Sequence, residues 1–223
     1  MHVMFAVVLV MAALAVPGVA AAQMVVEDWS KVPVGTKGIP PDWKGQNWGS
    51  PAYDFIVVDD GGKKAIHLKS KNEGSTISKE VKGTVDLKTT PILEWSWKAV
   101  ALPKGGNSCL KATDDQAVQV YVAWPRFPEA VRSRIIGYVW DTTSPVGTMC
   151  KSEKTGTVHY VVVRSGSAEL GKWHTERRNV REDFKKIYGE EPDNPGAVSI
   201  SIDSNDTSSY SESFVGLIVF KRP

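Results

Sequence analysis

The segment ILEWSWKAV, residues 92–100, alternates apolar and polar side chains from position 93 to position 99. Successive side chains of a β-strand point to opposite faces of its sheet, so this alternation predicts a strand. One face would carry Leu93, Trp95, Trp97 and Ala99, and the other Glu94, Ser96 and Lys98. Two Trp side chains on one face can form a stacking platform for a sugar ring. Because aromatic side chains bury large areas, we expect them in the core instead.

Similar apolar runs recur on both sides of this segment, with turn residues between them. The Gly- and Pro-rich residues 32–51 predict irregular structure, and DDGG at 59–62 predicts a hairpin. The other expected strands span residues 53–58, 64–70, 76–81, 116–124, 135–140, 157–163, 197–203 and 213–220. About ten short strands in one chain predict an all-β fold, a single jelly-roll-like β-sandwich.

Length and composition agree with one globular domain. The chain has 223 residues, of which 42% are hydrophobic and 23% charged. Its net charge is +2, from 27 basic and 25 acidic residues. Nucleic-acid binders cluster basic residues on one face, and this near balance predicts no nucleic-acid partner. Nothing in the pattern predicts an oligomeric state.

Residues 1–22 differ from the rest of the chain. Residues 3–16 are nearly all apolar, and Ala20–Ala22 form an A-x-A cleavage signal, so we predict a signal peptide cleaved after Ala22. The apolar run is shorter than the ~20 residues of a membrane-spanning helix. We therefore expect a mature domain of residues 23–223 that is periplasmic or secreted and has no membrane span.

The two cysteines, Cys109 and Cys150, lie in polar, Gly-containing segments. In an oxidising compartment they favour a disulfide, and the alternative is two unpaired thiols in separate loops. A structural zinc site requires four ligands, and no His or Cys partners lie near either cysteine.

Residues 171–189, GKWHTERRNVREDFKKIYG, contain the one helix that we expect in the mature chain. Asn179 followed by Glu182 resembles a capping signal, and Gly189 supplies a left-handed stop, so the helix should span residues 180–188. Arg177 and Arg178 could be structural partners of Asp183, or they could form a fork for a carboxylate or for sugar hydroxyls.

Motifs for nucleophilic or zinc-dependent catalysis are absent, because the sequence contains neither G-x-S-x-G nor H-E-x-x-H. Paired carboxylates for glycoside chemistry depend on a separation that only a structure gives. The candidates for such a pair are Asp114, Asp115, Glu176, Asp183 and Asp203.

The segment 203–207, DSNDT, resembles the start of a calcium-binding loop. An EF-hand needs Gly at the sixth position and Glu at the twelfth, where this chain has Ser208 and Phe214. We expect a polar turn and no cofactor or metal. A structural calcium site using Asp203, Asn205 or Asp206 is the alternative.

Five segments together resemble the bacterial domain-of-unknown-function family 3047. They are LEWSWKAVALP (93–103), DDQAVQVYVAW (114–124), IGYVW (136–140), GKWHTERRNVREDF (171–184) and SISIDSND (199–206). The most specific part is W-x-x-E-x-R-N-V-x-x-D at 173–183. The resemblance implies an exported single β-sandwich, similar in outline to carbohydrate-binding jelly rolls, with no assigned activity. By motif position it indicates as ligand-binding residues Asp115, Tyr138, Trp140, Trp173, Glu176, Arg178, Asn179, Asp183 and Asp203.

Eight Trp residues in an exported all-β chain, beside one polar cluster, favour a non-enzymatic binding module. Its ligand would be a saccharide or another polar small molecule, held by aromatic stacking and by hydrogen bonds. The alternative is a carbohydrate-active enzyme, either a polysaccharide lyase or a glycoside hydrolase, with Glu176, Asp183 or Asp203 as acid and base. A third hypothesis is a structural cell-envelope protein whose polar residues brace the fold.

Overall fold

The computed structural model describes residues 23–223, so the predicted signal peptide at residues 1–22 lies outside the described residues. The described chain contains thirteen strands and two helices. In chain order they are β1 (Gln23–Glu27), β2 (Lys44–Gly45), β3 (Asp54–Asp59), β4 (Lys64–Lys71), β5 (Gly74–Glu80), β6 (Ile92–Ala101), β7 (Val118–Trp124), α1 (Glu129–Arg132), β8 (Arg134–Asp141), β9 (Met149–Lys151), β10 (Val158–Ser165), β11 (His174–Asn179), α2 (Val180–Tyr188), β12 (Ala197–Asp203) and β13 (Tyr210–Lys221).

These strands form two sheets. The first sheet has the order β11–β6–β13–β4–β3, and β1 also pairs with β13. The second sheet has the order β2–β5–β12–β7–β8–β10–β9. All neighbours are antiparallel except β8 and β10, which run parallel. This arrangement confirms the predicted all-β sandwich.

The core between the sheets is centred on aromatic side chains from β6 and β8. Trp95 and Trp97 are fully buried, as are Tyr138 and Trp140 on the facing sheet. The Trp95 and Tyr138 ring centroids lie 5.2 Å apart, and those of Trp97 and Trp140 lie 6.1 Å apart. The core interpretation of the two β6 Trp residues is therefore confirmed, and these rings offer no platform to a sugar.

The expectation of a single helix is wrong, because α1 forms a second one. This helix has only four residues, too few to show helical periodicity in the sequence. Four strands lie outside the predicted strand ranges. β2 has two residues and β9 has three, β1 has five, and β11 is a six-residue run of polar and charged side chains, HTERRN.

Helix α2 has the predicted bounds and caps. The Asn179 Oδ1 atom accepts a hydrogen bond from the Glu182 N–H at 3.2 Å. Gly189 adopts the left-handed conformation, with φ of 72°, and its N–H donates to the Lys185 carbonyl oxygen. Phe184 is fully buried, and its ring lies 4.6 Å from that of Trp124 at the end of β7. The helix is thus packed onto one end of the sandwich.

Cys109 and Cys150 form the predicted disulfide. It connects the loop before β7 to the short edge strand β9, across a separation of 41 residues. Among residues 23–223, no helix has the length and apolar character needed to cross a membrane.

We expect the double variant Cys109→Ser/Cys150→Ser to keep its β-sheet circular dichroism but to lose about 2–4 kcal/mol of unfolding free energy, because the unfolded chain gains the freedom of the opened loop. Urea denaturation measures this loss. Wild type with a reducing agent should reach the same midpoint as the double variant. Equal midpoints for the oxidised wild type and the double variant would contradict the expectation.

Candidate ligand-binding face

The residues predicted as a single ligand site do not converge on one cleft. They occupy four places: the start of α2, the inner side of β11, the outer face of the first sheet and one end of the second sheet. Each place has its own hydrogen-bond network, which indicates what its residues do.

Four of the predicted residues brace the start of α2. Arg178, at the end of β11, forms a two-bond ion pair with Asp183, and its Nε lies 2.9 Å from the Asp183 Oδ2 atom. The same oxygen accepts a hydrogen bond from the Tyr138 hydroxyl at 2.9 Å. Asn179 caps the helix. Since Asp183 is only 6% exposed and both its oxygens are engaged, this cluster joins β11, β8 and α2.

Glu176 lies on the inner side of β11, and Trp140 of the facing strand β8 packs there, with its ring 5.5 Å from that of His174. The Glu176 carboxylate forms an ion pair with Arg164 and accepts a hydrogen bond from the Trp97 indole N–H at 3.1 Å. The Trp140 indole N–H donates to the Gly166 carbonyl oxygen at 3.1 Å. Trp140 and Tyr138 are fully buried, so neither side chain presents surface to a ligand.

Trp173 lies on the outer face of the first sheet, in a row of cationic and aromatic side chains. Its indole N–H donates to the Asp60 Oδ2 atom at 2.6 Å, and Asp60 also forms an ion pair with Lys98. The Lys98 ammonium lies 4.1 Å from the Phe214 ring centroid, and the His67 ring stacks on Phe214 at 4.0 Å. This row leaves Trp173 half-buried.

Asp115 is fully buried and shapes the turn that resembled a calcium loop. Its carboxylate accepts hydrogen bonds from the Asp206 N–H at 3.1 Å and from the Thr207 N–H at 2.6 Å. Backbone donors thus occupy the oxygens that a cation would need. Within residues 23–223, no group of three or more His, Cys, Asp or Glu side chains is arranged to hold a metal ion.

The outer face of the second sheet, here called the tyrosine face, presents a continuous polar and aromatic row. Strand register places these residues side by side on β2, β5, β12, β7, β8 and β10: Lys44, Ser78, Ser199, Tyr121, Gly137 and Tyr160. The centroids of the Tyr121 and Tyr160 rings lie 6.5 Å apart, on either side of Gly137. A Cβ atom at Gly137 would lie 2.5 Å from Tyr121 Cε1, so this position requires glycine. Tyr121 remains partly exposed.

Hydroxyl groups line the half of the tyrosine face formed by β5 and β12. The Thr76 and Ser201 hydroxyls are hydrogen-bonded at 2.8 Å, and those of Ser199 and Ser78 at 3.1 Å. Three of the four residues are partly exposed, and Ser201 is 3% exposed. Paired hydroxyls retain free lone pairs, so this half can still accept hydrogen bonds from a ligand.

Two amides connect Tyr121 to a carboxyl group. The Tyr121 hydroxyl donates to the Gln119 side-chain oxygen. The Gln119 amide N–H donates to Gln116 Oε1 at 2.6 Å and to Asp203 Oδ1 at 3.1 Å. The Gln116 backbone N–H also donates to Asp203 Oδ1, at 2.6 Å. These bonds fix the position of the Tyr121 hydroxyl.

A second carboxyl group closes the network. The Asp114 Oδ1 atom accepts a hydrogen bond from the Gln116 side-chain amide at 2.9 Å. Its Oδ2 atom accepts bonds from the Tyr160 hydroxyl at 3.3 Å and the Ser152 hydroxyl at 3.2 Å. Both Tyr hydroxyls thus belong to one connected set of amides and carboxyls.

The environment of this network raises the pKa values of its acids. Burial, together with the negative charges of Asp115 and Asp114, raises the pKa of Asp203 well above its usual range. Part of the Asp203 residue still reaches solvent, but its surroundings desolvate the carboxyl group. Burial also raises the pKa of Asp114 and, well above the usual range, the pKa values of Tyr121 and Tyr160. A protonated carboxyl group can donate a hydrogen bond.

The sequence interpretation included Asp203 of this face but missed its tyrosines and glutamines. The alternation in VQVYVAW, residues 118–124, already places Gln119 and Tyr121 on the face opposite the buried valines. What the alternation could not show is that Tyr160, much later in the chain, lies two strands away from Tyr121.

For the brace at α2, we expect Arg178→Ala to cost about 2–3 kcal/mol of unfolding free energy. The substitution leaves the buried Asp183 carboxylate with Tyr138 as its one side-chain partner. The loss of stability stays below that for a fully buried ion pair, because the Arg178 side chain is 35% exposed. Arg177→Ala is the matched control, since its side chain is 58% exposed and should cost less than ~0.5 kcal/mol. Similar thermal melts for the two variants would show that the cluster does not brace the fold.

For the tyrosine face, we expect Asp203→Asn to stabilise the protein at pH 7 more than at pH 4. The folded state holds the Asp203 proton more tightly than the unfolded chain does, where its pKa is about 3.9. The unfolding free energy therefore falls as pH rises from ~4 toward the folded-state pKa, and Asn removes that loss. Thermal melts across this pH range, with the exposed Asp193→Asn as control, should show a flatter profile for Asp203→Asn alone. A profile parallel to wild type would argue for an ionised Asp203.

Known structures of similar outline exist at low sequence identity. The chain is similar to the family 11 carbohydrate-binding module of the cellulosomal cellulase Lic26A-Cel5E of Clostridium thermocellum, at 9% identity over 92% of this chain and 96% of that chain, with a TM-score of 0.48. It is similar to the CBM22-1 xylan-binding domain of Paenibacillus barcinonensis Xyn10C, at 10% identity over 92% and 99%, with a TM-score of 0.42. It is also similar to the xyloglucanase domain of NopAA, a type three effector from Sinorhizobium fredii, at 11% identity over 81% and 93%, with a TM-score of 0.43. Likeness at these scores carries no conclusion about function.

No curated protein matches the chain in sequence. The family model described as "Protein of unknown function (DUF3047)" matches residues 42–219, which confirms the resemblance found in the five sequence segments. The chain therefore belongs to this domain-of-unknown-function family.

Proposed function

We propose that this protein is a non-enzymatic saccharide-binding module and that the saccharide lies across the tyrosine face. The observation that carries the proposal is the cross-strand row of hydroxyls beside the partly exposed Tyr121 ring on the outer face of the second sheet, where Tyr160 is buried next to Tyr121 at 6% exposure. Sugar rings present apolar C–H faces and hydroxyl edges, and this row offers an aromatic ring beside hydroxyl groups.

Tyr121 is the central contact in this proposal. Tyr121 is partly exposed, and its ring lies next to Gly137, where a Cβ atom would come within 2.5 Å of Tyr121 Cε1. Ser199 and Ser78 lie on one side of Tyr121 in the row, where they can exchange hydrogen bonds with the hydroxyls of a bound sugar. The fixed amide network limits the ordering cost of binding.

Trp48 extends the face at its β2 edge. This indole is 62% exposed, in the segment that follows β2. The Gln46 side-chain amide donates to the Trp48 carbonyl oxygen at 2.9 Å and to the Gly74 carbonyl oxygen at 3.2 Å, which ties the segment to the start of β5. An exposed Trp fixed at the border of a polar face supplies a second stacking surface.

The same proposal includes export. The predicted signal peptide would direct the chain out of the cytoplasm, and the Cys109–Cys150 disulfide agrees with an oxidising compartment. There the module would meet envelope or environmental polysaccharides.

The enzyme alternative draws on the same face. Asp203 and Asp114, both with raised pKa values, would be candidate acids. Asp183 and Glu176, in contrast, are engaged in ion pairs with Arg178 and Arg164. Release of sugar by the wild-type protein that disappears in Asp203→Asn would favour the enzyme.

We expect Tyr121→Ala to weaken binding of a neutral oligosaccharide about tenfold or more, which corresponds to ~1.4 kcal/mol, as expected when a ring contact and a fixed hydroxyl are lost. Affinity electrophoresis with β-glucans, xylans and mannans first identifies a ligand. Isothermal titration calorimetry with that ligand then measures the change in affinity. Ser199→Arg, which would fill the row without removing an aromatic ring, should also weaken binding.

Tyr210→Ala is the matched control, because Tyr210 is 39% exposed and belongs to the first sheet. Thermal melts establish that each variant is folded. The proposal fails if no neutral polysaccharide binds, or if Tyr121→Ala binds as tightly as Tyr210→Ala.

A further inference from the structure

The outer face of the first sheet contains a separate cleft of about 390 Å³. Its floor includes Ser96 of β6 and Thr175 of β11, which lie directly opposite each other in register. Gly62 and Lys63, in the hairpin between β3 and β4, form one wall. The volume falls within the ~300–1,000 Å³ typical of small-molecule sites.

The cleft is held open by contacts already described. Asp60 ties the hairpin to Lys98 and Trp173 of the sheet. Beside the floor, Gly216 has no side chain, and a Cβ atom there would lie 2.5 Å from the Ser96 hydroxyl oxygen and 3.5 Å from Trp173 Cζ3. A larger residue at position 216 would therefore clash with the Ser96 hydroxyl and crowd the Trp173 indole.

The cleft lining carries two lysines, Lys63 and Lys64, and two acids, Asp28 and Glu94. The Lys63 ammonium lies 4.7 Å above the Trp173 ring and forms no salt bridge with any residue in the described range 23–223. Lys64 also lines the cleft and donates only to a backbone carbonyl oxygen. The Glu94 carboxylate is neutralised by Lys221 and Arg177.

The remaining polar groups are available to a ligand. Ser96 is only 7% exposed, and its hydroxyl has no hydrogen-bond partner among the side chains and backbone of residues 23–223. Thr175 is exposed and likewise keeps its hydroxyl free within that range. Asp28, the one other acid in the lining, uses its Oδ1 atom to accept two hydrogen bonds from Ser30.

From this geometry we infer that the cleft is a second binding site, for a small anionic ligand that carries hydroxyl groups. Its carboxylate or phosphate group pairs with the Lys63 ammonium, and its hydroxyls bond to Ser96 and Thr175. An acidic sugar and a sugar phosphate share this chemistry. The site lies on the sheet opposite the tyrosine face and does not depend on the function proposed there.

Two-dimensional NMR titration with D-glucuronate, glucose 6-phosphate, D-glucose and inorganic phosphate tests this inference. We expect the amide signals of Ser96, Thr175 and Lys63 to shift with glucuronate, with glucose 6-phosphate or with both, and not with glucose. The responding ligand identifies the anionic group. Raising the salt concentration from 50 to 500 mM should weaken binding severalfold, because a partly exposed ion pair is screened.

Lys63→Gln and Thr175→Val should each weaken binding about three- to tenfold, and Asp28→Asn should strengthen it about twofold by removing a like charge. Lys82→Gln, an exposed lysine outside the cleft lining, is the matched control and should bind as wild type does. Equal affinity of Lys63→Gln and Lys82→Gln would overturn the inference. So would shifts with glucose as large as with glucuronate, no shifts with either acid, or shifts with inorganic phosphate alone.

Discussion

The packing of Trp95 and Trp97 against Tyr138 and Trp140 is the contact on which the rest of the molecule depends. It joins the two sheets through four fully buried aromatic side chains. Because strand side chains alternate, fixing these residues inward also fixes their neighbours outward. Ser96, between the two Trp residues of β6, therefore lies in the cleft on the outer face of the first sheet. Gly137, next to Tyr138, lies on the tyrosine face. One core contact therefore sets both candidate binding surfaces.

The two outer surfaces differ in charge and in chemistry. The tyrosine face combines the Tyr121 ring and hydroxyls with carboxyl groups whose pKa values burial raises, and the ligand proposed for it is neutral. The opposite cleft has lysine ammonium groups beside free hydroxyls and suits an anion. The Arg178–Asp183 cluster, which the family motif emphasises, has both carboxylate oxygens engaged and braces α2. In this chain the Arg178–Asp183 part of the motif therefore supports the fold, whereas Trp173 and Thr175, at the start of the same segment, border the cleft on the first sheet.

Elements defined by local pattern were predicted well. The alternation of residues 93–99 gave β6 and its inward face, Asn179 and Gly189 gave the ends of α2, and DDGG gave the hairpin between β3 and β4. Four strands and α1 were not predicted. β2, β9 and α1 have too few residues to show a period, β1 has only five, and β11 consists of polar and charged side chains without apolar alternation. The disulfide was predicted from compartment and cysteine count, and the structure brings the two segments together.

The sequence by itself determined the family, the all-β class, the inward and outward faces of the longer strands and the capped helix. All of these follow from interactions between residues close in the chain or from a motif that can be read directly. Only the tertiary structure decided which outward faces meet. Tyr121 and Tyr160 are neighbours because β8 lies between β7 and β10. Arg178 and Tyr138 share Asp183 as a partner because α2 packs at one end of the sandwich. Strand order depends on long-range pairing, which no local pattern encodes, and the location of a binding surface depends on strand order.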